Sequence, residues 1–349
     1  MTTATGLGRE VRLKVRPQAL PGPEHFEIVS VPVPHPNASE VLVRNLYFLV
    51  SASLRQMISE GAENIPGVPF PALRPGDALF GEALGEVVTA TAGSGFSPGD
   101  PVLHSCGWRD FALVPITACH RVGKPLPEPV GELGHLGHGW TAYAALTRGV
   151  RIREGETVFV SSAAGAIGSM AGQIARLLGA GRVIGSTSTR AKAEWLISNL
   201  GYDAAIVRDS GTSLAAQLIE AAPGGVDVVL DSVGGEQLQA AVRAARAGAR
   251  VLVIGALSGQ LASVGTGRTA PVALDSMQIL LKKITIRGYS ADDNPEARSE
   301  WLERFAQWLP SGRIQFPHVV IDGLDRATEA LRDTAQGRFQ GAVFVRLHS

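Results

Sequence analysis

The chain has 349 residues with 41 glycines, 21 prolines and 45% hydrophobic residues, a composition typical of a loop-rich globular protein long enough for two domains. Its 32 basic and 32 acidic side chains cancel, so no net field favours nucleic acid or an anionic membrane as a partner. Two cysteines exclude a disulfide scaffold and a four-cysteine zinc site, and without a recognisable leader or spanning segment we expect a cytoplasmic protein.

Residues 1–124 have the pattern of a β-rich domain. Short runs of β-branched and aromatic residues alternate with turns that contain proline and glycine, such as Arg74–Asp77 and Ser97–Asp100. Short strands at such short intervals predict a small β barrel or a folded sheet. The predicted strands are Val11–Arg16, Phe26–Val31, Glu40–Val50, Leu84–Ala90, Pro101–His104 and Phe111–Pro115.

From about residue 125 strands alternate with helices, which predicts an α/β fold with a doubly wound parallel sheet. After Gly312 the chain reads strand, helix, strand again, and we expect this tail to return to the first domain, because a closed six-stranded sheet does not need it. The expected domains are therefore 1–124 with 313–349, and 125–312. The predicted strands of the parallel sheet are Thr157–Ser162, Arg182–Gly185, Ala204–Val207, Val226–Asp231, Arg250–Gly255 and Lys283–Gly288, and the later predicted helices are Leu214–Ala222, Gln237–Ala247 and Glu296–Leu309.

The turn after the first strand of that sheet has the spacing of a dinucleotide-binding fingerprint. Ala163, Gly165 and Gly168 occupy its three small-residue positions, with alanine where the first glycine usually stands. Small residues let the backbone approach a pyrophosphate, whose charge is met by free N–H groups and by the positive end of the helix dipole. Phosphate binding is therefore the first functional hypothesis, and a glycine turn made only for packing is the alternative.

The end of the second strand distinguishes the two nicotinamide cofactors. NAD sites place an acidic residue about 20 residues past the glycines, on the ribose 2′-hydroxyl, whereas this segment has no carboxylate before Glu194. It carries hydroxyls at Ser188 and Thr189 instead. Together with the bases at Arg190 and Lys192, they favour a 2′-phosphate and therefore NADPH. The alternative is that Thr189 only caps the next helix and that both bases are solvated.

Three segments carry a resemblance to a known superfamily: Ala163–Ser169, Asp231–Gly235 and Gly255–Ser258. With the order of the domains, they resemble the medium-chain dehydrogenase/reductase superfamily, and within it the zinc-independent leukotriene B4 dehydrogenase/prostaglandin reductase group of alkenal and enone reductases. The resemblance covers essentially the full length. It implies a GroES-like β-rich domain beside a Rossmann domain, an NADPH-dependent oxidoreductase, and a homodimer paired through the nucleotide domains, with Arg250–Gly267 as the expected edge.

The resemblance also implies cofactor contacts, position by position. It places Lys192 on the 2′-phosphate and makes Arg208, where relatives often carry a tyrosine, a second cation. Ser232 replaces the usual asparagine of its turn. The residues implied at the pyrophosphate are Gly165, Ala166, Ile167 and Gly168, and those implied around the nicotinamide half are Thr141, Gly255, Ala256, Leu257, Ser258, Tyr289, Ser290 and Ala291.

Zinc-dependent alcohol dehydrogenases of this superfamily need a cysteine, a histidine in a Gly-His-Glu turn and a third ligand. The matching segments here, Val50–Ser53, Phe80–Glu82 and Leu136–His138, offer no such set. His135 and His138 lie three residues apart, but without a third ligand we interpret them as loop or cleft residues. We therefore expect no metal, and reduction of a simple ketone would lack a Lewis acid.

A conjugated C=C bond is the better target for such an enzyme, because hydride addition at the β carbon moves charge onto a carbonyl oxygen as an enolate. The α carbon of this α,β-unsaturated carbonyl substrate then takes a proton from a tyrosine or from water. Where relatives carry that tyrosine this chain has Gly259–Leu261, and the family's Asp-Pro-Tyr-Met-Arg run is Ser51–Arg55 here. Tyr47, Tyr143 and Tyr289 are the candidate donors, with Tyr143 and Tyr289 preferred. For each of them the alternative is a core aromatic.

Two other functions fit the same residues. A quinone oxidoreductase shares the fold and the cofactor and differs in what the pocket admits. A non-catalytic NADPH-binding protein would account for the missing tyrosine. Cys106 is interpreted as a buried thiol rather than a nucleophile, because no partner base is evident in the sequence.

Overall fold

The computed structural model describes residues 6–64, 72–123, 126, 130–262, 267 and 269–347. The predicted domain boundary at 124 and 125, and residues 263–266 of the predicted dimer edge, lie outside this part of the chain. The strands are β1 Leu7–Leu13, β2 Phe26–Pro32, β3 Glu40–Leu49, β4 Ala83–Ala90, β5 Pro101–His104, β6 Phe111–Pro115, β7 His120–Arg121, β8 Thr157–Val160, β9 Arg182–Thr187, β10 Ala204–Val207, β11 Val226–Asp231, β12 Ala245–Val253, β13 Thr285–Gly288, β14 His318–Asp322 and β15 Ala342–Arg346. The helices are α1 Leu54–Ile58, α2 Gly139–Ala144, α3 Gly168–Leu177, α4 Arg190–Leu200, α5 Leu214–Ala221, α6 Gly235–Ala244, α7 Leu257–Gln260, α8 Ser276–Lys282, α9 Glu296–Trp308 and α10 Ala327–Ala335. Among these helices of the described chain, none has both the length and the apolar character needed to cross a membrane.

Strands β3–β7 and the tail share one folded sheet of seven strands, and β1 pairs with β2 in a small antiparallel sheet of its own. Six strands of the larger sheet follow the order β14-β15-β3-β4-β5-β7. The seventh, β6, pairs with β3. Half of β3 pairs with β6, and its other end pairs with β15, where Leu49 faces Phe344. The tail therefore supplies two strands of this sheet. The division into domains at 124 and 312 stays a prediction.

The second sheet has six strands in the order β10-β9-β8-β11-β12-β13, and every neighbouring pair is parallel. This confirms the doubly wound fold. Successive residues of β8 enter different cores, since Val158 and Val160 belong to one buried cluster and Phe159 to the other. Both faces of the sheet are thus covered, which explains why its strands read as continuous apolar runs.

Several predicted boundaries were wrong, most clearly that of the first strand, which was predicted at Val11–Arg16 and spans Leu7–Leu13. Two others were wrong for reasons of backbone geometry. The helix predicted to reach Ala247 ends at Ala244, because Ala245 is extended (φ −62°, ψ 139°) and pairs with Val226. The four residues after Ala245 bulge out of the sheet around Gly248, at φ +78°, before pairing resumes. The strand predicted to begin at Lys283 begins at Thr285, because Lys283 takes a left-handed conformation that ends α8.

The tail also contacts the nucleotide turn directly. The N–H of Gly341 donates to the carbonyl of Ala164 (2.9 Å), and Gly341 bridges to Gly165 in parallel. Gly341 has φ +77°, and a Cβ there would lie 2.0 Å from the carbonyl oxygen of Pro317, so only glycine fits. A second connection joins Gln173 of α3 to Gln315, whose N–H donates to the Gln173 carboxamide (2.7 Å). These contacts fix the two sheets on either side of one cleft.

Candidate active site

A central cleft of about 980 Å³ lies between the two sheets. The nucleotide-sheet side of its wall includes the turn Ala164–Gly168, and the opposite side includes Val50–Leu54 and Met57. This volume is within the range of cavities that hold cofactor-sized or drug-sized ligands. The predicted cofactor-binding and catalytic residues should therefore line this cleft rather than the exposed surface.

The turn at the start of α3 is built for close backbone packing. A Cβ on Gly168 would lie 2.4 Å from the carbonyl oxygen of Ser162 and 2.6 Å from the Cα of Ala163. At the first fingerprint position, Ala163 is fully buried, and a Cβ on Gly185 of β9 would come within 2.5 Å of its methyl group. The glycine missing at position 163 is therefore compensated by a glycine on the neighbouring strand, a pairing that the fingerprint alone did not reveal.

The backbone at this turn has donors to offer. The N–H groups of Ala166, Ile167 and Gly168 have no hydrogen-bond acceptor within the described part of the chain. All three residues line the cleft, at the N-terminus of a ten-residue helix. Free N–H groups and the helix dipole together favour an anion, and phosphate is the usual one.

Two cations stand on the wall that continues from this turn. Lys192 and Arg208 both line the cleft. Burial, together with the charge of Arg208, lowers the pKa of Lys192 below its ordinary value. Like charges held this close repel each other, so an anion between them would relieve the repulsion. The Lys192 ammonium also donates to the carbonyls of Gly337 and Phe339 (2.7 Å to Phe339), which ties the tail to α4.

The other predicted residues of this segment have different surroundings. Thr189 caps α4, its hydroxyl accepting from the N–H of Lys192 (3.3 Å), as the alternative interpretation expected. Thr189 lines a neighbouring surface pocket beside the tail, whereas Ser188 lines both that pocket and the cleft. Arg190 is exposed and lines neither. Lys192 and Arg208 are thus the cations that the structure brings to the cleft.

The turn after β11 is shaped by a buried carboxylate. Asp231 accepts from the N–H groups of Val233 (3.1 Å) and Gly234 (2.8 Å), and burial raises its pKa. The Ser161 hydroxyl accepts from the N–H of Ser232 (2.8 Å), which joins this turn to the end of β8. Of the residues expected around the nicotinamide half, all but Ala256 line the cleft: Thr141, Gly255, Leu257, Ser258, Tyr289, Ser290 and Ala291.

None of the four tyrosines offers a free hydroxyl to the cleft. Tyr143 lies outside it, donating to Glu300 (3.4 Å) and packing against Trp301, so the structure does not place this predicted catalyst at the site. Tyr47 does not line the cleft and interacts with Arg346 across the sheet. Tyr202 is buried and donates to the carbonyl of Gly168 (2.7 Å). Tyr289 lines the cleft, but its hydroxyl donates to Asn294 (3.0 Å) and burial raises its pKa.

His138 and Glu82 line the cleft, although no catalytic role was predicted for either from the sequence. His138 precedes α2 and is half-buried, and its ring makes no hydrogen bond to any described residue. Burial lowers its pKa, the charge of Glu82 opposes this, and Arg298 adds to it. Glu82 lies 3.9 Å from the Arg298 guanidinium through Oε1, and its buried Oε2 has no hydrogen-bond partner among the described residues. Both residues end segments that were compared with the zinc-ligand segments of relatives, but no sequence motif pairs them, because the segments lie more than 50 residues apart.

The cysteines and histidines form no metal centre in the described chain. No group of three or more histidine, cysteine, aspartate or glutamate side chains there is arranged to hold a metal ion. Cys106 lies outside the cleft wall, and burial raises the pKa of its thiol, which disfavours the reactive thiolate.

Comparison with known proteins finds similar proteins along nearly the whole length of the chain. Residues 9–122 match the family described as the N-terminal domain of oxidoreductase, and residues 166–309 match the family described as zinc-binding dehydrogenase. The chain is 30% identical to prostaglandin reductase 1 of Bos taurus over 328 residues, 92% of this chain and 93% of the relative. It is 28% identical to 2-alkenal reductase (NADP(+)-dependent) of Nicotiana tabacum, over 97% of this chain and 96% of the relative.

A solved structure extends the similarity to three dimensions. CurA from Vibrio vulnificus in complex with NADPH superposes with a TM-score of 0.85 at 28% identity, covering 98% of this chain and 99% of CurA. The fold, the sequence identity over nearly the full length and the nucleotide turn all indicate the same family. The chain therefore belongs to the medium-chain dehydrogenase/reductase superfamily and, within it, to the zinc-independent group of alkenal and enone reductases.

Proposed function

We propose that the protein reduces activated carbon–carbon double bonds of enals and enones with NADPH. Family membership supports an NADPH-dependent oxidoreductase. The observation that carries the proposal is a single cleft with a phosphate-binding turn and two repelling cations on one side and apolar side chains on the other. NADPH needs the first of these features, and the hydrocarbon part of an enal or enone needs the second.

The residues present fit the cofactor at both ends. The free N–H groups at Ala166–Gly168 would hold the pyrophosphate, and Lys192 with Arg208 would hold the 2′-phosphate. Thr141 and Ala291 would border the nicotinamide, which supplies a hydride to the substrate when NADPH is bound.

The chain's own task is to orient the alkene and to stabilise the charge that moves onto the carbonyl oxygen. The apolar wall at Val50, Leu54 and Met57 would exclude water from the reacting bond. Thr141 lines the same cleft, and its hydroxyl would donate a hydrogen bond to the developing enolate. Such donors are worth most where water is excluded.

We expect purified protein to oxidise NADPH only when an enal or enone is added, with the saturated carbonyl compound as product. NADPH absorbance and mass spectrometry of the product check this. Quinones form the comparison arm, because a quinone oxidoreductase would consume NADPH with quinones and leave enals unchanged. Tight NADPH binding without turnover on any member of the panel would contradict the proposal and favour a non-catalytic binding protein.

We further propose that two copies pair through the β13 edge of the parallel sheet. The edge expected at Arg250–Gly267 stays a prediction, but its strand part, Arg250–Val253, is paired on both sides, with β11 and β13. Within the described chain β13 is paired on one side only, and its four residues are exposed. Nearby, Leu280 and Leu281 of α8 are 69% and 71% exposed. An open strand beside exposed leucines is a surface that a second copy would cover.

Changing Leu281→Glu is expected to convert a dimer to a monomer, because a buried unpaired carboxylate at the interface would cost several kcal/mol. Light scattering coupled to size-exclusion chromatography measures the mass. The matched control is Ile219→Glu on α5, an equally apolar residue that is 51% exposed away from β13. A Leu281→Glu protein with unchanged mass would argue against this edge. The expected cytoplasmic location stays a prediction.

A further inference from the structure

The proton needed at the α carbon has no evident source among the tyrosines. All four are committed elsewhere, to Glu300, to Arg346, to the carbonyl of Gly168 and to Asn294. The tyrosine that relatives carry beyond the Gly-Ala-x-Ser segment is absent here. If the proposed reduction takes place, another group has to deliver the proton or admit water to do so.

His138 is placed to be that group. It lines the cleft together with Tyr289 and with Thr141, which lies one turn further along the chain. Its ring has no hydrogen-bond partner among the described residues, so both nitrogens remain available to substrate or water. The imidazole lines the cleft, so a proton from water in the cleft could reach it between turnovers.

Glu82 is placed to assist His138. It lines the same cleft and its charge favours the protonated imidazole, against burial and against the charge of Arg298. A buried carboxylate oxygen without a donor is costly, and Glu82 Oε2 is such an atom. An imidazolium N–H would satisfy it. Arg298 is itself held, since it donates to the carbonyl of His135 (3.1 Å) and lies 5.6 Å from the ring centre of Trp140.

We propose that His138 is the catalytic proton donor to the α carbon and that Glu82 is its positioning residue. The inference rests on the proposed reduction. Once the β carbon has received its hydride, an N–H bond of the imidazolium breaks and a C–H bond forms at the α carbon, and the enolate electron pair becomes that bond. The neutral imidazole then takes a proton from water, so one hydride from NADPH and one proton from solvent saturate one double bond.

The pH dependence has a definite sign. The donor has to be protonated, so turnover should be constant below the pKa of His138 and fall as the pH rises through it. The charged groups around it are Glu82, which raises this pKa, and Arg298, which lowers it. Tyr289 and Asp292 complete the ionisable side chains of the neighbouring wall. Replacing Glu82 with glutamine removes the favourable charge. The falling limb of the pH profile, in which turnover decreases, should therefore move to lower pH.

The test uses His138→Gln, Glu82→Gln and the control His35→Gln, an exposed histidine in the loop after β2. His138→Gln is expected to lower kcat with an enone by about 10²-fold or more and to remove the falling pH limb, while Kd for NADPH is unchanged. Glu82→Gln should lower kcat by about tenfold and shift the limb downwards. His35→Gln should match the wild type in every respect.

A stereochemical readout separates proton delivery from a merely structural role. With an α-methyl enal in D₂O, the wild type should place deuterium on one face of the α carbon, and His138→Gln should give both faces. Free imidazole should restore part of the rate of His138→Ala. A variant that keeps single-face deuteration and the wild-type pH limb would overturn the proposal.

The remaining outcomes are also decisive. If His138→Gln does not fold, a pH limb that stays in place in Glu82→Gln overturns the assignment, and one that moves downwards supports it. Wild-type protein that binds NADPH but reduces no enal or enone would refute the proposed function itself. That result differs from an active wild type with an equally active His138→Gln, which would refute only the role of His138.

Discussion

Gly168→Ala is expected to abolish measurable NADPH binding and to lower the free energy of unfolding by about 3 kcal/mol. The added methyl group would lie 2.4 Å from the Ser162 carbonyl oxygen and 2.6 Å from the Cα of Ala163, both backbone atoms that no side-chain rotation can move. The start of α3 would have to shift away from β8, carrying the free N–H groups at Ala166 and Ile167 with it. Calorimetric titration and denaturant unfolding measure the two effects.

Substitutions at two further glycines distinguish an effect on backbone packing from an effect on phosphate binding. A Cβ on Gly165 would lie 3.3 Å from Ser162 atoms, so Gly165→Ala should leave stability nearly unchanged. It should still weaken NADPH binding by about tenfold, because Gly165 lines the cleft beside the N–H groups proposed to hold the pyrophosphate. Gly224→Ala is the control, since nothing lies within 4 Å of its Cβ. Gly168→Ala protein that binds NADPH like the wild type would refute the pyrophosphate assignment.

Arg208→Ala is expected to weaken NADPH binding by about 10- to 100-fold and to leave NADH binding unchanged. The loss corresponds to about 1.5–3 kcal/mol for one charged hydrogen bond to the 2′-phosphate. Arg208 is the sharper probe of the two cations, because Lys192 also holds the carbonyls of Gly337 and Phe339. Lys192→Ala should therefore weaken NADPH and, in addition, loosen the tail and lower stability.

Parallel titrations of Arg208→Ala with NADPH and NADH make this comparison. Arg304→Ala on the exposed face of α9 removes the same charge away from the cleft and serves as the control. Equal losses for both cofactors in Arg208→Ala would contradict the 2′-phosphate assignment. High salt should reduce the difference between wild type and variant, because the contact is partly screened.

The parallel sheet was predictable because its signals are local. Ala204–Val207 and Val226–Asp231 occur as predicted, since a short apolar run bounded by turns specifies a buried strand from its own residues. The start of β12 was not predictable, because alanines suit a helix equally well and pairing with Val226 decides in favour of the strand. At Ala245 the pairing with Val226, which is distant in sequence, therefore outweighs the helix propensity of alanine.

The site was predictable to the extent that it follows the fingerprint. The turn carries its own spacing, so Gly165 and Gly168 were found from the sequence. The second attachment of Lys192 was not, because it depends on carbonyls about 145 residues further along the chain. Tyr143 failed as a cleft residue because packing against Trp301 turns it into the core. His138 and Glu82 were missed as a pair because the fold alone brings them together.

The position of β15 governs how the polypeptide reaches its native state. Strand β3 pairs with β4 along one edge, but on its other edge Tyr47–Leu49 pair only with residues 344–346, some 300 residues later. During synthesis, this end of the edge therefore stays open until nearly the whole chain has left the ribosome. Loop closure over such a distance is slow, and an open strand edge invites aggregation. We expect refolding from denaturant to be slow and sensitive to concentration, with holding chaperones raising its yield.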